Sequence, residues 1–143
     1  FTEASSLAAA LVSAIDRFTA RAGATLYVRA SDGRFERQQS SSAGPQTAAR
    51  SVLDADEPLA VALRAGRSVA RCDEVHSTLP GELAMVLSRQ RELDAFVLIG
   101  RRHDGSVLRS DEVAALRATL HSVGVEWQAL RWEALQREMG SEP

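Results

Sequence analysis

Lysine and asparagine are both absent from the 143-residue sequence, so all 17 of its Lys-or-Arg positions are arginines. Avoidance of residues with AT-rich codons is typical of a GC-rich genome. The two absences exclude a Schiff-base lysine, a phosphate-binding P-loop lysine and any site that requires an asparagine amide.

Cysteine occurs only once, at Cys72, which excludes an internal disulfide. A single thiol also cannot supply a multi-thiolate zinc or iron–sulfur site. We therefore expect no metal site and no cofactor, and the lack of disulfides favours a reducing, cytoplasmic location.

Long apolar runs and an excess of one charge are missing as well. No run approaches the ~20 residues that cross a bilayer, so we expect no membrane span within this sequence. The net charge of -2 comes from 17 basic and 19 acidic side chains. It produces no field that attracts a polyanion, so we expect no nucleic-acid partner.

The composition is that of an ordinary globular protein, with 45% hydrophobic and 25% charged residues. The length is near the typical size of one domain with one hydrophobic core, so we assign residues 1–143 to a single domain. Because the chain opens on Phe1 without a signal-peptide pattern, we expect it to be a piece of a longer protein.

Periodic apolar positions predict the order of helices and strands. Apolar residues three and four apart predict amphipathic helices, and alternation predicts half-buried strands. Residues 95–99 are apolar at both odd and even positions, so both faces of the strand are apolar. This predicts a central strand that is covered on both faces. The predicted helices are 2–22, a short helix from Pro58 to Gly66 capped by an aspartate, and 111–138 with Ser110 as N-cap; the predicted strands are 24–29, 35–39, 51–53, 68–72, 83–88 and 93–102, with a loop at 39–47 and a connection at 73–82.

Three segments in this order resemble the GAF family of sensory domains. Residues 54–69, which end in Gly-Arg-Ser-Val, are similar to the family's short helix and the strand after it. Residues 92–102 are similar to its penultimate strand, and residues 108–116 to the start of its final helix. The resemblance implies an α+β fold, in which the N- and C-terminal helices pack on one face of an antiparallel sheet. A short helix and loops close a small-molecule pocket on the other face.

The PAS fold shares this layout, but the long terminal helices favour GAF. Two departures from the family limit the chemistry. The signature of cyclic-nucleotide members begins with asparagine and lysine, which this sequence lacks, and the methionine-sulfoxide reductases of the family use paired cysteines. The sequence therefore opposes a cyclic-nucleotide site and redox catalysis of these kinds. The short connection at 73–82 implies a small pocket.

Five residues are candidates for lining that pocket. On the first strand, the face that carries Ala24 is wholly aliphatic and suits packing against the terminal helices. The face that carries Tyr27 combines polar tips with apolar stems, so we assign that face to the pocket. Three alternatives stay open: Tyr27 as a core aromatic, Cys72 as a buried thiol and His76 as a loop histidine. The candidates are Tyr27, Arg29, Cys72, His76 and Phe96.

The final helix has the strongest pattern in the sequence. Its apolar residues step three and four apart as in a coiled-coil seam, and a second stripe begins beyond Val125. At 1.5 Å per residue this helix spans ~42 Å, more than the roughly 37 Å diameter of such a domain. Residues 125–143 are therefore predicted to overhang. We expect a parallel homodimer with Leu116, Leu120, Val123, Trp127, Leu130, Trp132 and Leu135 at the interface.

Taken together, the sequence predicts a non-enzymatic sensory or regulatory domain of a bacterial signalling protein. It would bind an unidentified small-molecule effector, dimerise, or do both, and transmit a change in helix packing. The alternative is a pure dimerisation module whose pocket has collapsed. An enzyme would require a catalytic constellation, and we find none in the sequence.

Overall fold

The computed structural model describes residues 3–41, 51–79 and 81–140. These residues contain three helices and six strands. The strands form one antiparallel sheet in the order β3-β2-β1-β6-β5-β4, numbered along the chain. The helices are α1 (Glu3–Phe18), α2 (Pro58–Arg64) and α3 (Ser110–Gly140), and the strands are β1 (Ala24–Arg29), β2 (Phe35–Ser40), β3 (Val52–Leu53), β4 (Val69–Arg71), β5 (Leu83–Arg89) and β6 (Leu93–Ile99).

Each face of the sheet has its own hydrophobic core. On one face, α1 and α3 cover the aliphatic side chains of β1, β5 and β6. On the other face, α2 and the segment after β4 cover a core that contains the buried aromatic rings of the sheet. This arrangement confirms the predicted α+β architecture, with the terminal helices on one side and the short helix on the other.

The side chains of β1 alternate between the two cores as predicted. Ala24, Leu26 and Val28 lie in the core under the terminal helices, whereas Tyr27 lies in the core under α2. The neighbouring strand β6 pairs with β1 on one edge and β5 on the other. It is therefore central, and Phe96 is fully buried there.

Helix α1 ends at Phe18, before the predicted end at residue 22. Ala20 and Arg21 adopt positive φ values of 55° and 66°. The backbone N–H of Arg21 donates to the carbonyl of Asp16 at 2.7 Å, and its guanidinium pairs with the Asp16 carboxylate at 2.9 Å. Two left-handed residues thus close the helix before Gly23, the glycine on which the prediction relied.

The caps of the other two helices also differ from the prediction. Glu57, not an aspartate, caps α2, because its carboxylate accepts a hydrogen bond of 2.6 Å from the backbone N–H of Leu59. Ser110 is the first residue of α3 and not its cap. Glu112 reaches back to the backbone N–H of Arg109 at 2.9 Å, which is half of a capping box.

Most strand boundaries lie within one or two residues of the predicted ones, and β6 is the exception. It ends at Ile99 and not at residue 102, because Gly100 packs against the segment that precedes β1. The backbone N–H of Gly100 donates to the carbonyl of Gly23 at 2.9 Å, and a Cβ at this position would overlap the carbonyl of Ala22. The predicted loop at 39–47 lies largely outside the described residues.

Three extra residues interrupt the strand pairing. Gln38 is extra on β2, Leu87 is extra on β5 and Asp94 is extra on β6, because the paired positions on either side skip them. Such β-bulges bend a strand and redirect the side chains around them. No periodic pattern in the sequence predicts their positions.

Helix α3 packs directly on the bulge of β5. A Cβ at Gly124 would overlap the carbonyl of Leu87, so a residue with any side chain cannot occupy this position at the observed spacing. Gly124 therefore permits a close helix–strand contact. Beyond it, α3 continues for more than four turns at 3.6 residues per turn, up to Gly140.

Phe96→Ala should strongly destabilise the fold. The Phe96 ring lies 5.4 Å from the Tyr27 ring and 5.1 Å from the Phe35 ring, measured between centroids. Its truncation should lower the free energy of unfolding in urea by ~3–5 kcal/mol. Phe18→Ala is the matched control, because Phe18 is exposed, and its cost should stay below ~1 kcal/mol. Equal costs for the two variants would contradict the central position of β6.

Gly124→Ala should also destabilise, against the usual trend. In a solvent-exposed helix this change stabilises by about 0.5–1 kcal/mol. Here the added methyl group must push α3 off the carbonyl of Leu87, at a cost of about 1–3 kcal/mol. Ser122→Ala, on an exposed position of the same helix, is the control and should change stability by less than ~0.5 kcal/mol. A more stable Gly124→Ala variant would refute the close contact.

Candidate functional site

Three of the five predicted pocket residues lie together in the core under α2. Tyr27 and Phe96 are fully buried and stacked on each other, and Cys72 is buried in the same cluster. Phe35 closes the group by meeting the Phe96 ring edge-on. These side chains fill the space between the sheet and α2, so a ligand there would have to displace them. Their role as pocket lining stays a prediction.

Burial also suppresses the chemistry of Cys72. Desolvation, followed by the negative charge of Glu57, raises the pKa of its thiol to about 11. At neutral pH the sulfur is therefore protonated, and the thiolate that acts as nucleophile or metal ligand is scarce. This environment is that of a small buried hydrophobic residue.

The other two predicted pocket residues lie elsewhere. The guanidinium of Arg29 lies 3.0 Å from the Glu92 carboxylate and 3.7 Å from the Asp94 carboxylate, at the end of the sheet. His76 is exposed in the connection after β4 and has a positive φ of 56°. The structure thus brings together Tyr27, Cys72 and Phe96, while Arg29 is engaged in ion pairs and His76 faces solvent.

A groove of about 950 Å³ lies on the opposite face of the sheet from the predicted pocket. We call it the helix-face groove, because α1 and the C-terminal half of α3 form its walls and β1 lies at its base. Leu26 and Val28 line the base, and Ala4 and Ala8 line the side that α1 forms. The groove is open to solvent.

Polar and aromatic side chains converge on the helix-face groove. Both tryptophans of the chain line it, and the guanidinium of Arg131 lies 4.7 Å from the centre of a Trp127 ring. The Asp94 carboxylate accepts a hydrogen bond of 3.4 Å from the Gln128 amide. The remaining polar residues of the lining include Gln38, Gln39 and Gln90.

Two β-bulges deliver polar residues to this groove. The bulge on β2 leaves Gln38 outside the pairing, so the consecutive residues Gln38 and Gln39 both line the groove. The bulge on β6 likewise frees Asp94 from pairing with β5. Sequence analysis missed this groove because its walls come from five separate elements. The only sequence signals were the Gln-Gln pair in a predicted strand and two tryptophans five residues apart on one helix.

The structure divides the predicted dimer-interface residues into two groups. Leu116, Leu120 and Trp127 are buried against the chain's own sheet and α1, and Val123 and Leu130 pack partly against the same core. Leu116, Leu120 and Trp127 therefore stabilise the domain itself, and the role of all seven residues at an interface stays a prediction. Trp132 and Leu135 are 60% and 48% exposed.

Residues 3–41, 51–79 and 81–140 contain neither a metal-binding cluster nor a membrane-spanning helix. Among them, no group of three or more His, Cys, Asp or Glu side chains lies close enough to hold a metal ion. None of the described helices combines the length and the apolar character needed to cross a membrane.

No protein-family model and no curated protein matches the sequence, but solved structures match the fold. A GAF domain/HD domain protein from Geobacter sulfurreducens is 14% identical, with a TM-score of 0.73 over 92% of this chain and 95% of that chain. The second GAF domain of DevS from Mycobacterium smegmatis is 15% identical, with a TM-score of 0.71 over 96% and 99%. The PixJ GAF domain of Thermosynechococcus elongatus, in its blue-light absorbing form, is 12% identical, with a TM-score of 0.66 over 97% and 92%. The chain therefore has a GAF-like fold.

Proposed function

We propose that the chain is a non-enzymatic regulatory domain of a bacterial signalling protein, and that it acts by pairing its α3 helix with that of a second copy. The supporting observation is a stripe of exposed apolar residues on the C-terminal half of α3. We call Val125, Trp132 and Leu135 the pairing stripe; Val125 is 63% exposed and the other two are about half exposed or more.

The spacing of the pairing stripe suits a two-stranded coiled coil. Val125 and Trp132 are seven residues apart, and Gln128 and Leu135 repeat the same interval three residues later. This is the spacing of a and d positions in a heptad. Three of the four residues are apolar and can face a partner helix, whereas Gln128 donates to Asp94 of its own domain. Because the core-facing residues of α3 lie on the opposite side, the helix can serve its own domain and a partner at once.

The energetics favour covering this stripe. Apolar surface in water costs ~25 cal/mol per Å², and a two-fold symmetric dimer is the commonest way in which soluble proteins cover such a surface. Pairing would also link the domain to whatever follows α3, because a small rotation of two paired helices changes the relative position of their C-terminal ends.

Dense packing under α2 supports the dimerisation alternative over an effector site there. The rings of Tyr27, Phe35 and Phe96 contact one another, and Cys72 is buried beside them in its protonated state. A pocket between these residues would have to open at the expense of a closed core. The pairing of α3 requires no such rearrangement.

Light scattering after size exclusion should show a species of about twice the 15.4 kDa chain mass. Trp132→Glu and Leu135→Glu should shift it toward monomer, because each places a charge in the apolar seam. Ser122→Glu introduces the same charge at an exposed position of α3 outside the pairing stripe, so it should leave the dimer intact. A wild-type monomer at high micromolar concentration would refute the proposal.

Calorimetry with cyclic GMP, cyclic AMP and cyclic di-GMP should show no micromolar binding. Arg29 is the only arginine on the face of β1 that was predicted to line the pocket. It is already paired with Glu92 and Asp94, so it is not free to bind a phosphate group. A cyclic-nucleotide-binding protein in the same buffer is the positive control. A dissociation constant near ~1 μM, worth about 8 kcal/mol, would contradict this prediction.

A further inference from the structure

We propose that the helix-face groove binds a planar heteroaromatic molecule that has no positive charge and whose edge carries both hydrogen-bond donors and acceptors. This site lies across the sheet from the pocket that the sequence predicts. Four observations carry the inference: the size of the groove, its aromatic walls, the kind of polar groups that line it, and the pairing of its carboxylate, Asp94.

The size fits a fused ring system. Small-molecule sites typically enclose about 300–1,000 Å³, and this groove of about 950 Å³ lies near the upper end of that range. Aliphatic side chains of β1 and α1, including Leu26 and Ala8, form an apolar base. A flat apolar surface is what the face of a ring system requires.

The aromatic walls offer stacking partners. Trp132 is 60% exposed at the rim, and Trp127 lies buried in the wall with Arg131 over its ring at 4.7 Å. Indole and guanidinium planes both stack on flat heterocycles. The two tryptophans are also the only ones in the chain, so intrinsic tryptophan fluorescence reports on this groove and, through Trp132, on the pairing stripe.

The polar lining consists mainly of carboxamides. Gln38, Gln39, Gln90 and Gln128 are four of the six glutamines in the sequence. Among the described residues, the side-chain amides of Gln38, Gln39 and Gln90 have no hydrogen-bond partner. A carboxamide donates and accepts at once and pairs with the donor–acceptor edge of a heterocycle. The β2 bulge, which turns two consecutive glutamines toward the groove, positions part of this set.

The described residues that line the groove include one charged side chain of each sign, Asp94 and Arg131. Asp94 pairs with Arg29 at 3.7 Å and accepts a hydrogen bond from Gln128. Arg131 lies over the ring of Trp127, is exposed and has no carboxylate partner among the described residues. No unpaired carboxylate is therefore left to hold an ammonium group, so the ligand class carries no positive charge.

Occupancy of the groove would affect the same helix that we propose to pair. All three residues of the pairing stripe, Val125, Trp132 and Leu135, also line the groove. A bound molecule would therefore bias the orientation of these side chains. This consequence rests on the proposed function, whereas binding itself does not.

Calorimetry with riboflavin, lumichrome and adenosine, paired with quenching of tryptophan fluorescence, tests the inference on the whole chain. At least one of these uncharged heterocycles should bind with a stoichiometry of one per chain and quench the emission in parallel.

Matched variants locate the bound molecule. Gln39→Ala should weaken binding about tenfold, equivalent to ~1.4 kcal/mol for a lost hydrogen bond, and Trp132→Ala should weaken it by a similar factor. Gln136→Ala removes the same amide from an exposed part of α3 outside the lining and should change affinity by less than about twofold. Circular dichroism confirms that each variant is folded.

The outcomes separate this inference from the proposed function. Absence of saturable binding by all three heterocycles up to about 1 mM would overturn the groove site even if the chain is a dimer. Binding that survives both Gln39→Ala and Trp132→Ala would place the ligand elsewhere and also overturn it. Because Gln39 lies on β2, outside the pairing stripe, its effect on binding stands even if light scattering shows a monomer.

Discussion

The contact between Gly124 and the carbonyl of Leu87 determines where α3 can lie. Two packed helices normally keep their axes about 8–10 Å apart because side chains lie between them, and side chains likewise hold a helix off a sheet. Here glycine on the helix and a bulge on β5 remove one layer of side chains at the crossing. Large apolar residues then cover the sheet before and after the crossing, with Leu120 on one side and Trp127 on the other.

This crossing point explains why one helix carries two apolar stripes. Up to Gly124 the core-facing residues of α3 are covered by the sheet and by α1. Beyond it, residues of the first stripe such as Trp127 and Leu130 still pack inward, while the pairing stripe faces outward. A single 3.6-residue period cannot describe such a segment, because apolar residues occupy two sides of the helix.

The sequence predicted the order of elements because each element has a local signal. The alternation of residues in β1 predicted that strand and which side chains face each core. The run in β6 that is apolar on both faces predicted a central strand. The three bulges have no local signal, since an unpaired residue such as Gln38 or Asp94 depends on its partner strand. The helix-face groove was therefore not predictable, and neither was the division of the predicted interface into buried and exposed residues. Leu116 and Trp132 have similar sequence periodicity but opposite burial.

The two faces of the sheet differ in how they can respond to a signal. The core under α2 is closed by aromatic rings in mutual contact, and opening it would break that packing. The helix face has a close contact at Gly124 and an open groove beyond it, and the last turns of α3, which carry Trp132 and Leu135, are exposed. A ligand shifts an equilibrium between two arrangements only by its difference in affinity for them. Trp132 is exposed in the groove wall and belongs to the pairing stripe, so any ligand that stacks on it would interact differently with the paired and unpaired helix.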